Sequence, residues 1–123
     1  MATNYSRGAA FERRVVKDMK RFGYCATRAA GSHTPADVWC LMAGHRPVLI
    51  QCKRDGRLDP DDWNTFLDYC LLAGAVPVLA MAGTNGRGIA YRRLVWRKDG
   101  SRREQPLAYW VPQMYEGNQD GTV

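Results

Sequence analysis

Residues 31–54 read GSHTPADVWCLMAGHRPVLIQCKR, and the rest of the chain is organised around this stretch. Two runs rich in β-branched and other apolar residues, 36–42 and 47–53, flank a short polar segment that contains Gly44. Apolar runs of this length around a short glycine-containing turn are typical of an antiparallel β-hairpin. The first run contains one acidic residue, Asp37, and the second ends in polar residues, Gln51 and Lys53.

The register of this hairpin decides which side chain Asp37 meets, because successive side chains of a strand point to opposite faces. If the numbers of paired residues sum to 88 or 90, Asp37 lies opposite Gln51 or Lys53 on one face, whereas a sum of 89 places it beside Cys52. A carboxylate and an amide oxygen can hold a hard cation such as Mg²⁺. A nearby lysine can then neutralise charge or orient water in phosphodiester hydrolysis.

The pattern has an ordinary explanation as well. An aspartate at a strand start is often a turn or capping residue, and a lysine at a strand end often only reaches solvent.

The distribution of charge along the chain indicates the kind of partner. The chain has 18 Lys and Arg against 12 Asp and Glu, a net charge of +6, and residues 1–57 carry 11 basic and 4 acidic side chains. The basic surface thus belongs to the half that contains the hairpin, which favours a nucleic acid partner.

Length and composition predict one globular domain over residues 1–115 and a flexible tail over residues 116–123. No apolar run approaches membrane length and the N-terminus lacks an apolar signal core, so we expect an intracellular, cytoplasmic protein without a membrane partner. The cysteines show no C-x-x-C spacing and lie in apolar contexts. They indicate buried free thiols in a reducing compartment rather than a zinc site.

Residues 6–22 have helical periodicity, with apolar side chains on one arc and basic side chains on the other. Glu12 falls inside the apolar arc, where an ionised carboxylate is costly unless a cation or hydrogen bonds compensate it. A structural ion pair with an arginine would explain Glu12. Beside the predicted hairpin, a third carboxylate that binds metal or orients water is the favoured explanation.

The remaining pattern predicts short strands over residues 24–28, 76–81, 89–96 and 107–111. A second helix follows an N-cap at Asp59 with Pro60 at its first position, and it ends at Gly74. Because this helix is the acidic part of the chain, we expect it to face away from nucleic acid. The glycine-rich residues 83–88 predict a loop. The fold class is therefore α/β, with a mixed central β-sheet flanked by helices.

These residues together resemble the archaeal-type Holliday-junction resolvases, a branch of the PD-(D/E)xK nuclease superfamily that also occurs in phages. The resemblance spans about residues 7–94. The residues that carry it are Glu12-Arg13 on the first helix, Arg28 and Gly31-Ser32 before Asp37, and Gln51-x-Lys53. Two positions depart from the family pattern: Gln51 stands where the family usually has glutamate, and Ala36 precedes Asp37 although Pro35 lies just before it.

The resemblance implies a restriction-endonuclease-like core in a homodimeric, Mg²⁺-dependent endonuclease that cuts four-way DNA junctions, with Mn²⁺ able to substitute. It also makes a phage protein acting in a bacterial host one expectation. By position, Glu12, Asp37 and Lys53 match catalytic residues and Ser32 matches an auxiliary active-site serine. The implied metal ligands are Glu12, Asp37 and Gln51.

The same resemblance matches Arg13 and Arg28 to arginines that contact DNA, and the basic segments around them add Arg7, Arg14, Arg54 and Arg57 as expected phosphate contacts. Two alternatives stay open. One is another repair or restriction nuclease built on this core. The other is a DNA-binding module that keeps the fold without catalysis, for which Gln51 is the main argument.

Overall fold

The computed structural model describes residues 4–29, 34–95 and 107–115. Within them, the main elements in chain order are α1 (Asn4–Arg21), β1 (Cys25–Arg28), β2 (Val38–Leu41), β3 (Val48–Cys52), α2 (Pro60–Ala73), β4 (Val76–Ala82), β5 (Ile89–Leu94) and β6 (Leu107–Tyr109). The strands form one sheet in the order β1-β2-β3-β4-β5-β6. All neighbours are antiparallel except β3 and β4, which are parallel. The predicted mixed central sheet flanked by helices is confirmed.

Strand β3 contributes to both layers of the core, since its alternate side chains face opposite sides of the sheet. Val48 and Ile50 pack in the cluster that includes α1, and Leu49 packs in the cluster that includes α2. A strand covered on both faces is expected to be apolar throughout. From Gln51 onward β3 is only half-buried, so polar groups begin where the two cores end.

Helix α1 covers one face of the sheet with a stripe of residues spaced four apart, Phe11, Val15 and Met19, all of which are buried. The helix begins two residues earlier than predicted and ends at Arg21. Gly23 follows with a φ of 104°. A β-carbon there would overlap Tyr115, whose N–H donates to the carbonyl of the residue before Gly23. Glycine is therefore required at this corner both for the backbone angle and for the close approach.

Helix α2 covers the other face, and its two ends follow the predicted local signals. The Asp59 side chain accepts a hydrogen bond of 2.8 Å from the Asp61 N–H, and Pro60 is the first helical residue. Gly74 adopts the left-handed conformation with a φ of 64°, and its N–H bonds back to the last turn of the helix. Trp63 and Phe66 are fully buried and anchor the helix to the sheet.

Some predicted boundaries differ from the structure. Strand β5 ends at Leu94, two residues before its predicted end, and β6 stops at Tyr109. The charged segment after β5 and the tail from Glu116 lie outside the described residues. None of the helices in residues 4–29, 34–95 and 107–115 is long and apolar enough to cross a membrane.

The prediction that all four cysteines are buried is wrong for Cys25, whose side chain is exposed. Cys25 lies on the edge strand β1 and points away from the core, and a local apolar context could not indicate that position. Cys40 and Cys70 are buried, and burial raises the pKa of each thiol to about 12. Burial also raises the pKa of the half-buried Cys52 thiol.

Candidate active site

The register of the β2–β3 hairpin places Asp37 near the end of β3. Val38 pairs with Ile50 and the next pairs continue inward, so the residue numbers sum to 88, one of the two sums predicted to build a site. The described pairs stop one residue short of Asp37, whose N–H donates to the Ile50 carbonyl at 2.8 Å. Asp37 and Gln51 line the same cleft at this end of the hairpin.

The Asp37 side chain is held in place by the backbone of β3. The Cys52 N–H donates to Asp37 Oδ2 at 2.8 Å. The next residue, Lys53, donates its N–H to Ala80 of β4 on the other side. Because β2 begins only at Val38, the Asp37 carboxylate takes the place of a backbone acceptor for Cys52. This bond fixes one carboxylate oxygen at the end of β3.

The pKa of Asp37 is raised above its usual value, mainly because burial disfavours the charged carboxylate. The hydrogen bond from Cys52 lowers this pKa, the negative charge of Glu12 raises it, and the positive charges of Lys53 and Arg28 lower it. Such effects require the charged groups to lie close together. The charges of Glu12 and Lys53 therefore act on the Asp37 carboxylate, and Gln51 lines the same cleft as Asp37.

Glu12 is paired with Arg28. The Arg28 Nη2 and Nε atoms donate to Glu12 Oε2 at 2.9 and 3.2 Å. The Glu12 and Arg28 side chains are only 21% and 23% exposed, so solvent screens this ion pair weakly. The predicted ion pair between Glu12 and an arginine is thus present. The negative charge of the paired Glu12 still raises the pKa of Asp37. Arg28, predicted to contact DNA, also holds Glu12 at the site.

The side-chain oxygen of Gln51 has no hydrogen-bond partner among the described residues. This atom, Oε1, is buried. Leaving a buried carbonyl oxygen unpaired costs about 1–3 kcal/mol. A hard cation, or water bound to it, is the kind of partner that such an oxygen beside a carboxylate would accept. The donor set formed by Asp37 and Gln51 therefore fits Mg²⁺.

The described part of the chain contains no group of three or more His, Cys, Asp or Glu side chains arranged to hold a metal ion. The Gln51 amide lines the cleft beside Asp37, so the site has one carboxylate fewer than the pattern that the sequence resembles. Any ion here would depend on Asp37, on the neutral oxygen of Gln51 and on water for most of its ligands.

Asp37 and Gln51 open into a cleft of about 350 Å³, which is also lined by Thr34, Pro35, Asp62 and Thr65. Asp62 belongs to the acidic helix α2, which charge alone had placed away from nucleic acid. The first turn of α2 lines this cleft, and the orientation of α2 relative to nucleic acid stays a prediction. The signal available in the sequence was modest: Asp62 directly precedes the buried Trp63 and Thr65 directly precedes the buried Phe66, so both flank the apolar stripe of the helix.

The predicted DNA-contacting arginines occupy different surroundings. Arg13 and Arg14 are exposed on α1, and the Arg14 guanidinium carbon lies 5.8 Å from the centre of the Phe11 ring. Arg54 and Arg57 are exposed on the loop between β3 and α2. Their exposure leaves all four side chains accessible to phosphates.

Two predicted residues fall beyond what the structure describes. Ser32 lies outside the described residues, and Arg7 lies within α1 but its side chain is not described. Their assigned roles remain predictions.

A second open cleft, of about 310 Å³, separates α1 from the turn at residues 83–88. We call it the basic groove; its lining residues are Arg14, Lys17, Asp18, Arg21, Gly88 and Ile89. Asp18 accepts a hydrogen bond from the Tyr91 hydroxyl at 2.7 Å, which ties α1 to β5 at the base of the groove. The three cations follow one side of α1 and give this groove a positive character.

No family model matches this sequence, and no curated protein matches it. The structure is similar to that of Hjc, a Holliday junction resolvase from the archaeal hyperthermophile Archaeoglobus fulgidus. The TM-score is 0.59 at 22% sequence identity, and the match covers 76% of this chain and 80% of that chain. The two chains share a fold. This likeness confirms the predicted restriction-endonuclease-like core. At this sequence identity it shows the fold and not the activity.

Proposed function

We propose that this protein is a Mg²⁺-dependent endonuclease that hydrolyses phosphodiester bonds in branched DNA, with the four-way junction as its preferred substrate. The observation that carries the proposal is that Asp37 and Gln51 line one cleft at the end of β3, where the buried Gln51 Oε1 has no hydrogen-bond donor among the described residues. The negative charge of Glu12 raises the pKa of the Asp37 carboxyl, and the positive charge of Lys53 lowers it. The shared fold with a junction resolvase supports the choice of substrate.

In this proposal Asp37 and Gln51 hold the metal ion, and Glu12, kept in position by Arg28, contributes negative charge beside them. A bound Mg²⁺ supplies a Lewis acid that polarises the phosphate and makes water a better nucleophile. The Lys53 ammonium stabilises charge that develops on the phosphate or orients the attacking water. The hydrogen bond from Cys52 keeps the Asp37 carboxylate in a single orientation throughout.

DNA binding would rest on phosphate contacts from the exposed arginines of α1 and of the β3–α2 loop. The basic groove extends this surface along α1, and the net charge of +6 favours a polyanion. Ser32 and Arg7 keep their proposed roles as an auxiliary active-site residue and a phosphate contact. Binding of this kind depends steeply on salt and little on base sequence.

We also propose a two-fold homodimer, because a four-way junction presents two equivalent strands for symmetric cutting. Exposed apolar side chains at the C-terminal end of α2 support this assembly, since Leu71 is 60% exposed and Leu72 is 89% exposed. Sedimentation should show a dimer at micromolar concentration. A monomer that still binds DNA would argue against junction resolution.

The function is tested by incubating purified protein with Mg²⁺ and labelled four-way, flap and linear duplex DNA. The wild type should cut the four-way junction preferentially. Asp37→Asn and Lys53→Ala should abolish cutting but retain most of the binding, because most phosphate contacts lie elsewhere. Equal cutting by the wild type and Asp37→Asn would refute the active-site assignment, and preferred cutting of flap or linear DNA would point to another nuclease of this fold.

A second candidate function is a DNA-binding module without catalysis. The neutral Gln51 favours it, together with the lack of a three-carboxylate cluster in the described residues. This candidate predicts that the wild type binds the junction but cuts nothing at any concentration of Mg²⁺ or Mn²⁺. The same DNA panel therefore separates the two functions.

A further inference from the structure

Helix α2 presents the Asp62 carboxylate to the cleft where β3 has the neutral Gln51. Gln51 contributes a buried, unpaired oxygen but no charge. Asp62 lines the same cleft as Asp37 and Gln51. Within residues 4–29, 34–95 and 107–115, no hydrogen bond or ion pair engages the Asp62 side chain. A carboxylate without a partner thus lines the cleft into which Asp37 and Gln51 open.

The position of Asp62 is well determined by its neighbours. The Asp59 cap closes the first turn of α2, and the adjacent Trp63 is completely buried. Thr65, one turn further on, lines the same cleft, so this side of the helix faces the site over a full turn. The cleft therefore has one wall made by the strand ends and another made by the start of α2.

We propose that Asp62 supplies the negative charge that Gln51 lacks and holds the active-site Mg²⁺ through water. This inference rests on the proposed function. Mg²⁺ usually keeps several water ligands and is bound through one or two carboxylates. A carboxylate across an open cleft can accept hydrogen bonds from those waters, even though the described residues form no cluster that would enclose an ion directly.

An acidic residue in the first turn also stabilises the positive end of a helix dipole, and this effect alone would explain Asp62. The chain offers a matched control, because Asp61 lies in the same turn and carries the same charge but does not line the cleft. The helix-dipole effect predicts similar behaviour for the two residues, whereas the proposed site requires them to differ.

The test measures metal binding without DNA, by the signal of free Mn²⁺ in electron paramagnetic resonance during titration of the full-length protein. Asp62→Asn should weaken Mn²⁺ binding by roughly fivefold to tenfold, the scale expected for one charge acting on a divalent ion across water. Asp61→Asn should stay within about twofold of the wild type, since at a greater distance the same charge is screened. Asp62→Asn combined with Gln51→Glu should recover the lost affinity, because the charge then returns on the strand.

Equal weakening by Asp61→Asn and Asp62→Asn would overturn the inference, as would an Asp62→Asn variant with unchanged affinity. A double variant no tighter than Asp62→Asn would overturn it too. Thermal melting in EDTA confirms that each variant is folded before it is titrated. If the wild type cuts junctions and binds Mn²⁺ but Asp62→Asn binds like Asp61→Asn, only this inference fails. If the wild type neither binds Mn²⁺ nor cuts DNA, the proposed function fails with it.

Discussion

Replacing Gln51 with glutamate should make the protein less stable without metal and more responsive to metal. The new carboxylate would line the same cleft as Asp37, whose pKa burial already raises. Neighbouring side chains on adjacent strands have β-carbons about 5–8 Å apart, and the shorter distance sets the upper limit of their repulsion. Two like charges at about 5 Å with an effective dielectric constant of about 20 repel by about 3 kcal/mol. Half-exposure and salt reduce this repulsion, so we expect a loss of about 1–2 kcal/mol in EDTA.

For a chain of 123 residues, this loss corresponds to a Tm lower by about 3–10 °C. Mg²⁺ should reverse the difference, since an ion that binds only the folded state adds stability in proportion to its affinity. The assay is thermal melting with EDTA and with increasing Mg²⁺, together with junction cleavage over the same range. Gln51→Glu should lower the Mg²⁺ concentration needed for half-maximal cleavage by about tenfold, because a second anionic ligand attracts the ion more strongly.

Gln113→Glu is the matched control: it adds the same charge on an exposed side chain and should change neither quantity. If Gln51→Glu melts with the wild type in EDTA and needs the same Mg²⁺, residues 37 and 51 do not share a metal site. If the wild type is inert with every Mg²⁺ and Mn²⁺ concentration while Gln51→Glu cuts junctions, the protein is a silenced nuclease and the proposed function is wrong.

Three further perturbations test the electrostatics of the site and the burial of the cysteines. Because the pKa of Asp37 is higher in the folded state, the free energy of unfolding of the wild type should fall as pH rises through and above the usual aspartate range. In urea unfolding, Asp37→Asn should therefore be the more stable protein at pH 7 and should lose that advantage near pH 4. Arg28→Met, which leaves Glu12 half-buried without its partner, should cost about 1–2 kcal/mol in the same assay, and Arg28→Lys should recover part of it. With a thiol reagent at pH 8, Cys25 should react rapidly in the folded protein and the other three cysteines only on unfolding; fast reaction of more than one thiol would contradict the burial pattern.

The sequence alone determined the features that depend on near neighbours along the chain. Asp59, Pro60 and Gly74 predicted both ends of α2, because capping and left-handed backbone conformations are local interactions. The two apolar runs around Gly44 predicted the hairpin but left its register open: sums of 88 or 90 place Asp37 opposite Gln51 or Lys53, and a sum of 89 places it beside Cys52. Only the pairing of the strands in the fold separates these registers, and the described pairs sum to 88.

Tertiary structure alone decided which distant groups meet. The pairing of Arg28 with Glu12 joins an edge strand to α1. The periodicity of α1 indicated that Glu12 needs a cationic partner, but it could not indicate which arginine the fold brings there. The placement of Asp62 beside the strand ends depends on how α2 crosses the sheet after β3. Net charge could not indicate that the first turn of α2 lines this cleft, because a charge count averages over a whole element. The buried Trp63 and Phe66 orient α2, and the hydrophobic contacts that hold them are strong enough to bring an acidic turn to the cleft.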